Sequence, residues 1–338
     1  MAIVFNSLER FITESSLRIF TFFAIFAKAS IVIHIMKRII ARICCIVTAL
    51  ASGIHCLSAA DKSIVILYEN DTHGALDGYV VLDGLYNAIA KADTAYLGLV
   101  GNGDFVYGGR ADGLASGENI RDIVNAMHYD AIGIGNHEFD IDGEKLLALL
   151  GQFKAPVLCA NLTDMEGNHL AGSYTIKQYG SKKVAFIGVL TPMGMRIQRA
   201  SFYDSEGRQL YDLHDGRYIS ELVQKLVDEV RALGVDYVIL LSHIGERNGN
   251  YLSTHLISQT QGIDAVIDGH SHSVIGNRTV SNKAGEPVPI TQTGIKFANI
   301  GKLVISPEGN ISTTLLPVSE LSSYSSPTIR EIVDKIGQ

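Results

Sequence analysis

Tryptophan is absent from this 338-residue chain, proline occurs seven times and cysteine four times. Cys44, Cys45 and Cys56 fall among the first 60 residues, which leaves Cys159 alone beyond them. No intramolecular disulfide can form in that part, so its core, not a set of covalent staples, must hold it together. Positive charge is also scarce there. The first 60 residues carry two acidic groups (Glu9, Glu14) and six basic ones (Arg10, Arg18, Lys28, Lys37, Arg38, Arg42). Of the 35 Asp+Glu and 28 Lys+Arg, the remainder therefore keeps 33 and 22, a net charge of −11. Such a charge argues against non-specific nucleic-acid binding. If it handles phosphate, the positive charge must come from elsewhere, and metal ions would supply it. Long apolar runs are missing as well: Lys28 breaks the stretch after Ile19–Ala27, and neither half approaches the roughly 20 residues of a membrane span.

What the amino-terminal part does hold is the plan of a secretory leader. Met36-Lys37-Arg38 opens a basic segment, Ile43–Ile54 is apolar, and Ser58-Ala59-Ala60 are small residues before Asp61. We read residues 1–60 as leader, with Met36 the true start, residues 1–35 an upstream extension, and cleavage near Ala60. That places the product in the periplasm or outside the cell. His55 before Cys56 argues against a lipoprotein.

Beyond the leader, apolar runs rich in β-branched residues alternate with helical patterns. Ile64–Tyr68, Ala95–Val100, Asp130–Ile134, Pro156–Ala160, Val184–Leu190, Tyr237–Leu241 and Ala265–Ile267 read as strands. A hairpin is expected near 168–177. From Tyr218 to Leu233, apolar residues recur at three- and four-residue spacing and make one broad helical face. Val288–Thr291, Lys302–Ser306 and Ser312–Leu316 follow without helices between them and are expected to run antiparallel. Leu321–Pro327 reads as linker, and Thr328 with Glu331 as the capping box of a last helix. We place a catalytic domain at 61–317, with linker and the start of a carboxy-terminal helix at 318–338.

Chemistry concentrates where five of these strands end. The loops carry Asp71 and His73; Asp104; Asn136 and His137; His243; and His270 with His272. Carboxylate, imidazole and amide oxygen together suit Mn, Fe, Co or Zn. On an extended segment, residues two apart point the same way, so Asp71/His73 and His270/His272 could each address one point. Any one such loop reads equally well as a solvated turn; five together do not. His128, His169, His214 and His255 lack such company and read as surface or satisfied core residues. Glu138 reads as a local packing or hydrogen-bonding group.

Asn-Asp-Thr-His-Gly (70–74), Gly-Asp (103–104), Gly-Asn-His-Glu-Phe-Asp (135–140), Ser-His-Ile-Gly (242–245) and Gly-His-Ser-His (269–272), in that order, resemble the motifs of the calcineurin-like metallophosphoesterases. The third resembles the 5′-nucleotidase branch. The resemblance implies a four-layer αββα sandwich of mixed sheets and a pair of divalent metal ions. It implies one ion on Asp71, His73 and His272, a second on Asn136, His243 and His270, and Asp104 bridging them. His137 oriented by Asp140 is the implied catalytic pair. Asn102 stands where relatives carry a small apolar residue, a departure expected to matter little. The implied activity is hydrolysis of small phosphomonoesters, nucleotides first. The alternatives are a cyclic-nucleotide phosphodiesterase, a nucleotide-sugar hydrolase, or a catalytic half served by a separate nucleoside-binding partner chain.

Overall fold

The computed structural model describes residues 62–106, 113–247 and 249–336, together with Met36. The leader, Met36 apart, lies outside the described residues. β1 (Ser63–Glu69) leads into α1 (Leu76–Ala92), β2 (Ala95–Asn102), α2 (Gly113–Ala126) and β3 (Ala131–Gly133). A 3₁₀ turn at His137–Asp140 and α3 (Gly143–Leu150) precede β4 (Val157–Leu158), β5 (Thr163–Asp164), β6 (Tyr174–Tyr179) and β7 (Lys182–Leu190). Two short helices, α4 (Gly194–Ile197) and α5 (Arg199–Phe202), and β8 (Tyr211–Asp212) lead to α6 (Gly216–Ala232), β9 (Tyr237–His243), α7 (Ser253–Gln259) and β10 (Ala265–Asp268). The chain continues through β11 (Val274–Ser281), β12 (Pro287–Thr293), β13 (Asn299–Ile305) and β14 (Ile311–Pro317) to α8 (Pro327–Ile336).

The long strands form two six-stranded mixed sheets, β14-β13-β1-β2-β3-β4 and β11-β12-β10-β9-β7-β6. Their apolar runs are nearly continuous because both faces of each strand are covered. Ile64, Ile66 and Tyr68 of β1 pack with Val184, Phe186, Ile239, Leu241 and Ile267 in the layer between the sheets. Val65 and Leu67 point the other way, into a core shared with Leu82, Ile123, Leu146 and Ile329 from α1, α2, α3 and α8. Val238, Leu240 and Val266 do the same on the far side, against Ile219, Val223, Leu226, Val227 and Val230 of α6. Each such α6 side chain contributes about 1.5–3 kcal/mol of burial. Asp215 starts that helix by accepting the Tyr218 N–H. The result is helices, sheet, sheet, helices: the four-layer αββα sandwich.

Some details depart from expectation. The hairpin is β6–β7, turning at Gly180, while β5 pairs instead with the distant β8. β12 lies parallel to β10 and antiparallel only to β11, a strand the sequence did not announce. The stretch read as linker is packed: Leu321 and Tyr324 sit against the outer core, and Ser326 N–H donates to Val80 O at 3.0 Å. Ser326, not Thr328, caps α8, its Oγ accepting the Ile329 N–H at 3.3 Å with Pro327 in the first helical position. Among the described residues no helix is long and apolar enough to cross a membrane.

Candidate metal centre

β1, β2 and β3 run parallel in one sheet, and β9 and β10 run parallel in the other. Their carboxyl ends therefore deliver five loops to one region. The loops cross-link through their backbones: Asp71 N–H donates to Gly103 O and His73 N–H to Asp104 O, at 3.0 and 2.9 Å. All seven metal-capable residues come together there. Ligating atoms of Asp71, His73, Asp104 and His272 lie within 4.8 Å of one another, as do those of Asp104, His243 and His270. Asp104 belongs to both groups. Asn136 joins the second through Oδ1, 2.6 Å from His270 Nδ1. His73 Nε2 and His272 Nε2 stand 3.0 Å apart.

The local reason for this convergence differs from the one drawn from sequence. Asp71, His73, Asp104, His270 and His272 all adopt left-handed backbone, with φ between 44° and 67°. Their loops are tight turns and not extended segments, and the residue pairs converge through those turns. For residues other than glycine such conformations cost energy and persist where the surroundings enforce them. The approach of the loops is close: a Cβ on Gly135 would fall 2.2 Å from Asp104 Oδ1.

The donor set and the state of its atoms both fit divalent cations. Asp104 Oδ2 and His243 Nε2 are buried and lack a hydrogen-bond partner, although they face each other at 3.1 Å. Nitrogen and oxygen donors left unsatisfied inside a protein are what a metal ion would engage. Burial pushes His73 and His270 down to about 4, which favours the neutral imidazole. Burial also acts to lower His243, but the Asp104 and Asp71 carboxylates outweigh it and raise that imidazole to about 10.

His137 stands beside this cluster, its ring 5.2 Å from that of His73 and its backbone N–H donating to Asp104 Oδ1 at 2.8 Å. Nδ1 lies 2.8 Å from Asp140 Oδ2. Partial burial pulls the imidazole down, yet the Asp140 hydrogen bond and the Asp104 and Asp140 charges hold it above the ordinary histidine value.

Three residues shape the site beyond what sequence disclosed. Glu138 is fully buried and accepts four backbone N–H groups, from Gly135 (2.6 Å), Asp104 (2.9 Å), Phe105 (2.7 Å) and Val106 (3.3 Å). It clamps the loops after β2 and β3 to each other, a longer reach than the local role read from sequence. Asn70 donates to Asp71 Oδ2 at 2.6 Å and accepts the Thr293 N–H at 2.8 Å. Asn102 donates to Ser242 O and Ile267 O, at 3.0 and 2.9 Å, across the two sheets. That makes it a tie between the layers and not the minor departure expected. For Asn102 the available signal was a polar residue at the end of an apolar strand.

A cleft of about 690 Å³ borders the segment that follows β7. Thr191 of that segment donates its N–H to His243 O, and Gln198 reaches Asp140 Oδ1 at 3.4 Å. His214, read from sequence as a surface or satisfied residue, lines this cleft.

Comparison with known proteins agrees with the geometry. The chain is 27% identical to the NAD 5′-nucleotidase of Haemophilus influenzae over 231 residues, 62% of this chain and 34% of that protein. It is 27% identical to the 2′,3′-cyclic-nucleotide 2′-phosphodiesterase/3′-nucleotidase of Salmonella typhimurium over 244 residues, 65% of this chain and 36% of that one. It thus spans about a third of the length of these relatives. The fold matches that of a calcineurin-like phosphoesterase from Bacillus subtilis with a TM-score of 0.65 at 21% identity, covering 82% of this chain and 97% of that one. Residues 64–274, which include every one of the five loops, match the calcineurin-like phosphoesterase family profile, and the chain belongs to that family.

Proposed function

We propose that this chain uses two divalent metal ions to hydrolyse small phosphomonoesters, nucleotides first among them, in the manner of a 5′-nucleotidase. The observation that carries the reading is the sharing of Asp104 between two clusters of ligating atoms. Asp71, His73 and His272 would hold one ion and Asn136, His243 and His270 the other, with Asp104 between them. When bound, the ions supply Lewis-acid charge to the phosphoryl oxygens and a water acidic enough to attack phosphorus at neutral pH. His137 would hydrogen-bond the transferring phosphoryl group or give its proton to the leaving oxygen. Asp140 holds Nδ1 of that ring and favours its cationic form. Mn, Zn, Fe and Co all suit this donor set.

The names of the relatives support a nucleotide substrate, and the Salmonella relative supports cyclic nucleotides as the second reading. The basic, apolar and small-residue order of 36–60 supports export, with the signal peptide removed near Ala60. A separate nucleoside-binding partner chain would be needed only if the purified chain failed on nucleotides while hydrolysing generic esters. A phosphate-release screen over nucleotides and sugar phosphates, with Mn, Zn and Co supplied in turn, tests the reading. Preferential turnover of nucleotides supports it, and no metal-dependent release from any ester overturns it.

A further inference from the structure

The segment that follows β7 is fastened to the metal centre at its root. Thr191 N–H donates to His243 O at 3.0 Å. Gly194 packs on Asn136, where a Cβ would lie 3.6 Å from the Asn136 Cβ. The short helices α4 and α5 meet at Gln198, whose backbone is held on both sides. Its N–H donates to Gly194 O at 2.8 Å, and its carbonyl accepts the Ser201 N–H at 2.9 Å. Ser201 Oγ in turn donates to Phe139 O at 2.6 Å and stands 2.9 Å from Ile141 O, the carbonyls on either side of Asp140. Phe202 stacks on Phe139, ring centroids 4.5 Å apart and planes 26° from parallel. The segment is thus fitted to the 3₁₀ turn that carries His137 and Asp140.

Asp140 itself is exposed, and a carboxylate in water turns easily about its last bond. Here both of its oxygens are engaged. Oδ2 faces His137 Nδ1 at 2.8 Å, and Oδ1 accepts the Gln198 Nε2–H at 3.4 Å. Gln198 is 6% exposed, and its Oε1 is buried without a hydrogen-bond partner. Chemistry fixes the orientation of that amide: turned over, it would set an oxygen against a carboxylate. Burying an unpaired amide oxygen costs stability, and the fold bears that cost in a side chain whose other end reaches Asp140. A reacting group keeps its aim when the partners that orient it are themselves held in this way.

We propose that Gln198 is a positioning residue: it fixes the Asp140 carboxylate, so that Asp140 aims the His137 ring at the phosphoryl group. Gln198 acts through those two side chains and not on the substrate. The proposal rests on the phosphoesterase reading for the reaction it serves, and one arm of its test is independent of that reading. Gln198→Met keeps the length of the side chain but removes both the donor and the orphaned oxygen. In the full chain supplied with Mn²⁺, turnover is read with AMP and with p-nitrophenyl phosphate. In the variant kcat falls about tenfold, part of the two orders of magnitude that an acid–base group supplies, while KM and Mn content hold. Tm stays level or rises, because a buried unpaired oxygen is gone. In a His137→Ala background the same substitution changes kcat by less than about twofold, since the ring it positions is absent. A residue that merely supported the fold would lower Tm, and it would lower kcat by the same factor in both backgrounds.

The second arm reads the proton between His137 Nδ1 and Asp140 by NMR, its resonance assigned by its loss in His137→Ala. That resonance shifts or broadens in Gln198→Met, with or without catalytic activity. Circular dichroism identifies a variant that fails to fold, and Gln198→Leu, which also lacks the donor, then decides. An unchanged resonance overturns the proposal, as does an equal loss of kcat in both backgrounds. A chain that releases phosphate from neither ester, yet shows the change in resonance, loses the phosphoesterase reading and keeps the positioning role of Gln198. A chain that hydrolyses both esters, with kcat and resonance untouched by the substitution, keeps that reading and loses the proposal.

Discussion

Glu138 illustrates how much a single buried carboxylate can organise. It touches none of the seven metal-capable side chains through its own oxygens, yet it accepts the backbone N–H groups of Asp104 and Gly135 and so sets where Asp104 and Asn136 stand. Burial, reinforced by the Asp104 charge, raises its pKa above the ordinary glutamate value. Glu138→Gln would turn an amide N–H₂ toward donors that need acceptors. Unsatisfied buried donors cost about 1–3 kcal/mol. We therefore expect a lower urea midpoint and weaker metal affinity in this variant, read by denaturation and by metal titration. His137→Ala should behave oppositely. It should keep its metal while kcat falls by about two orders of magnitude. Metal content falling in step with activity would remove the catalytic role.

The residue types at this site were legible from sequence because carboxylate, imidazole and amide recurred at strand ends. The clamp was not, because Glu138 acts on the backbone of residues about thirty positions away.

At the scale of elements, the strands were legible where both faces are buried, as in β1, β7 and β9, since burial leaves a nearly unbroken apolar run. β4, two residues long, was legible within the apolar run Pro156–Ala160, whereas β5 and β8 are two residues each and carry no period to read. The β5–β8 pairing is set by tertiary contact alone. Asn102 is the clearest case of an element-level tie, joining the end of β2 to the ends of β9 and β10. Asn102→Ala would leave two buried carbonyls without those donors and should destabilise the fold by about 2 kcal/mol. A Tm unchanged within one degree would contradict that.

Asp236 plays a milder part at the other end of the sheet, accepting the Lys183 N–H at 2.8 Å and facing Lys182 Nζ at 3.2 Å. The Lys183 hydrogen bond and the nearby lysines hold its carboxyl below the ordinary value of 3.8. A depressed carboxylate pKa stabilises above that value and ceases to do so as pH falls through the folded-state pKa. The stability gap between wild type and Asp236→Asn should therefore be small at pH 7, under about 1 kcal/mol, and shrink further under strong acid. Urea midpoints at the two pH values check it.

For the whole molecule, the central feature is that two sheets with different strand orders place their loops at one junction. That convergence was readable from the ordered motifs and their resemblance to a family. The path of the backbone through left-handed turns and the cleft beside the junction were not, since both depend on contacts between distant segments. A chain whose ligands are gathered in the folded state alone should gain stability from metal. At a free concentration 100 times Kd, one site adds about 2.7 kcal/mol. Chelation should lower Tm, and restoring Mn or Zn should return it.

Calorimetric titration of the metal-stripped chain with Mn²⁺, compared with Asp104→Ala, tests the account most directly. The account predicts about two equivalents for the wild type, and in the variant the loss of tight binding at both positions, because one carboxylate serves each. A wild type that takes up a single ion, or an Asp104→Ala chain that still binds two with unchanged affinity, would contradict it.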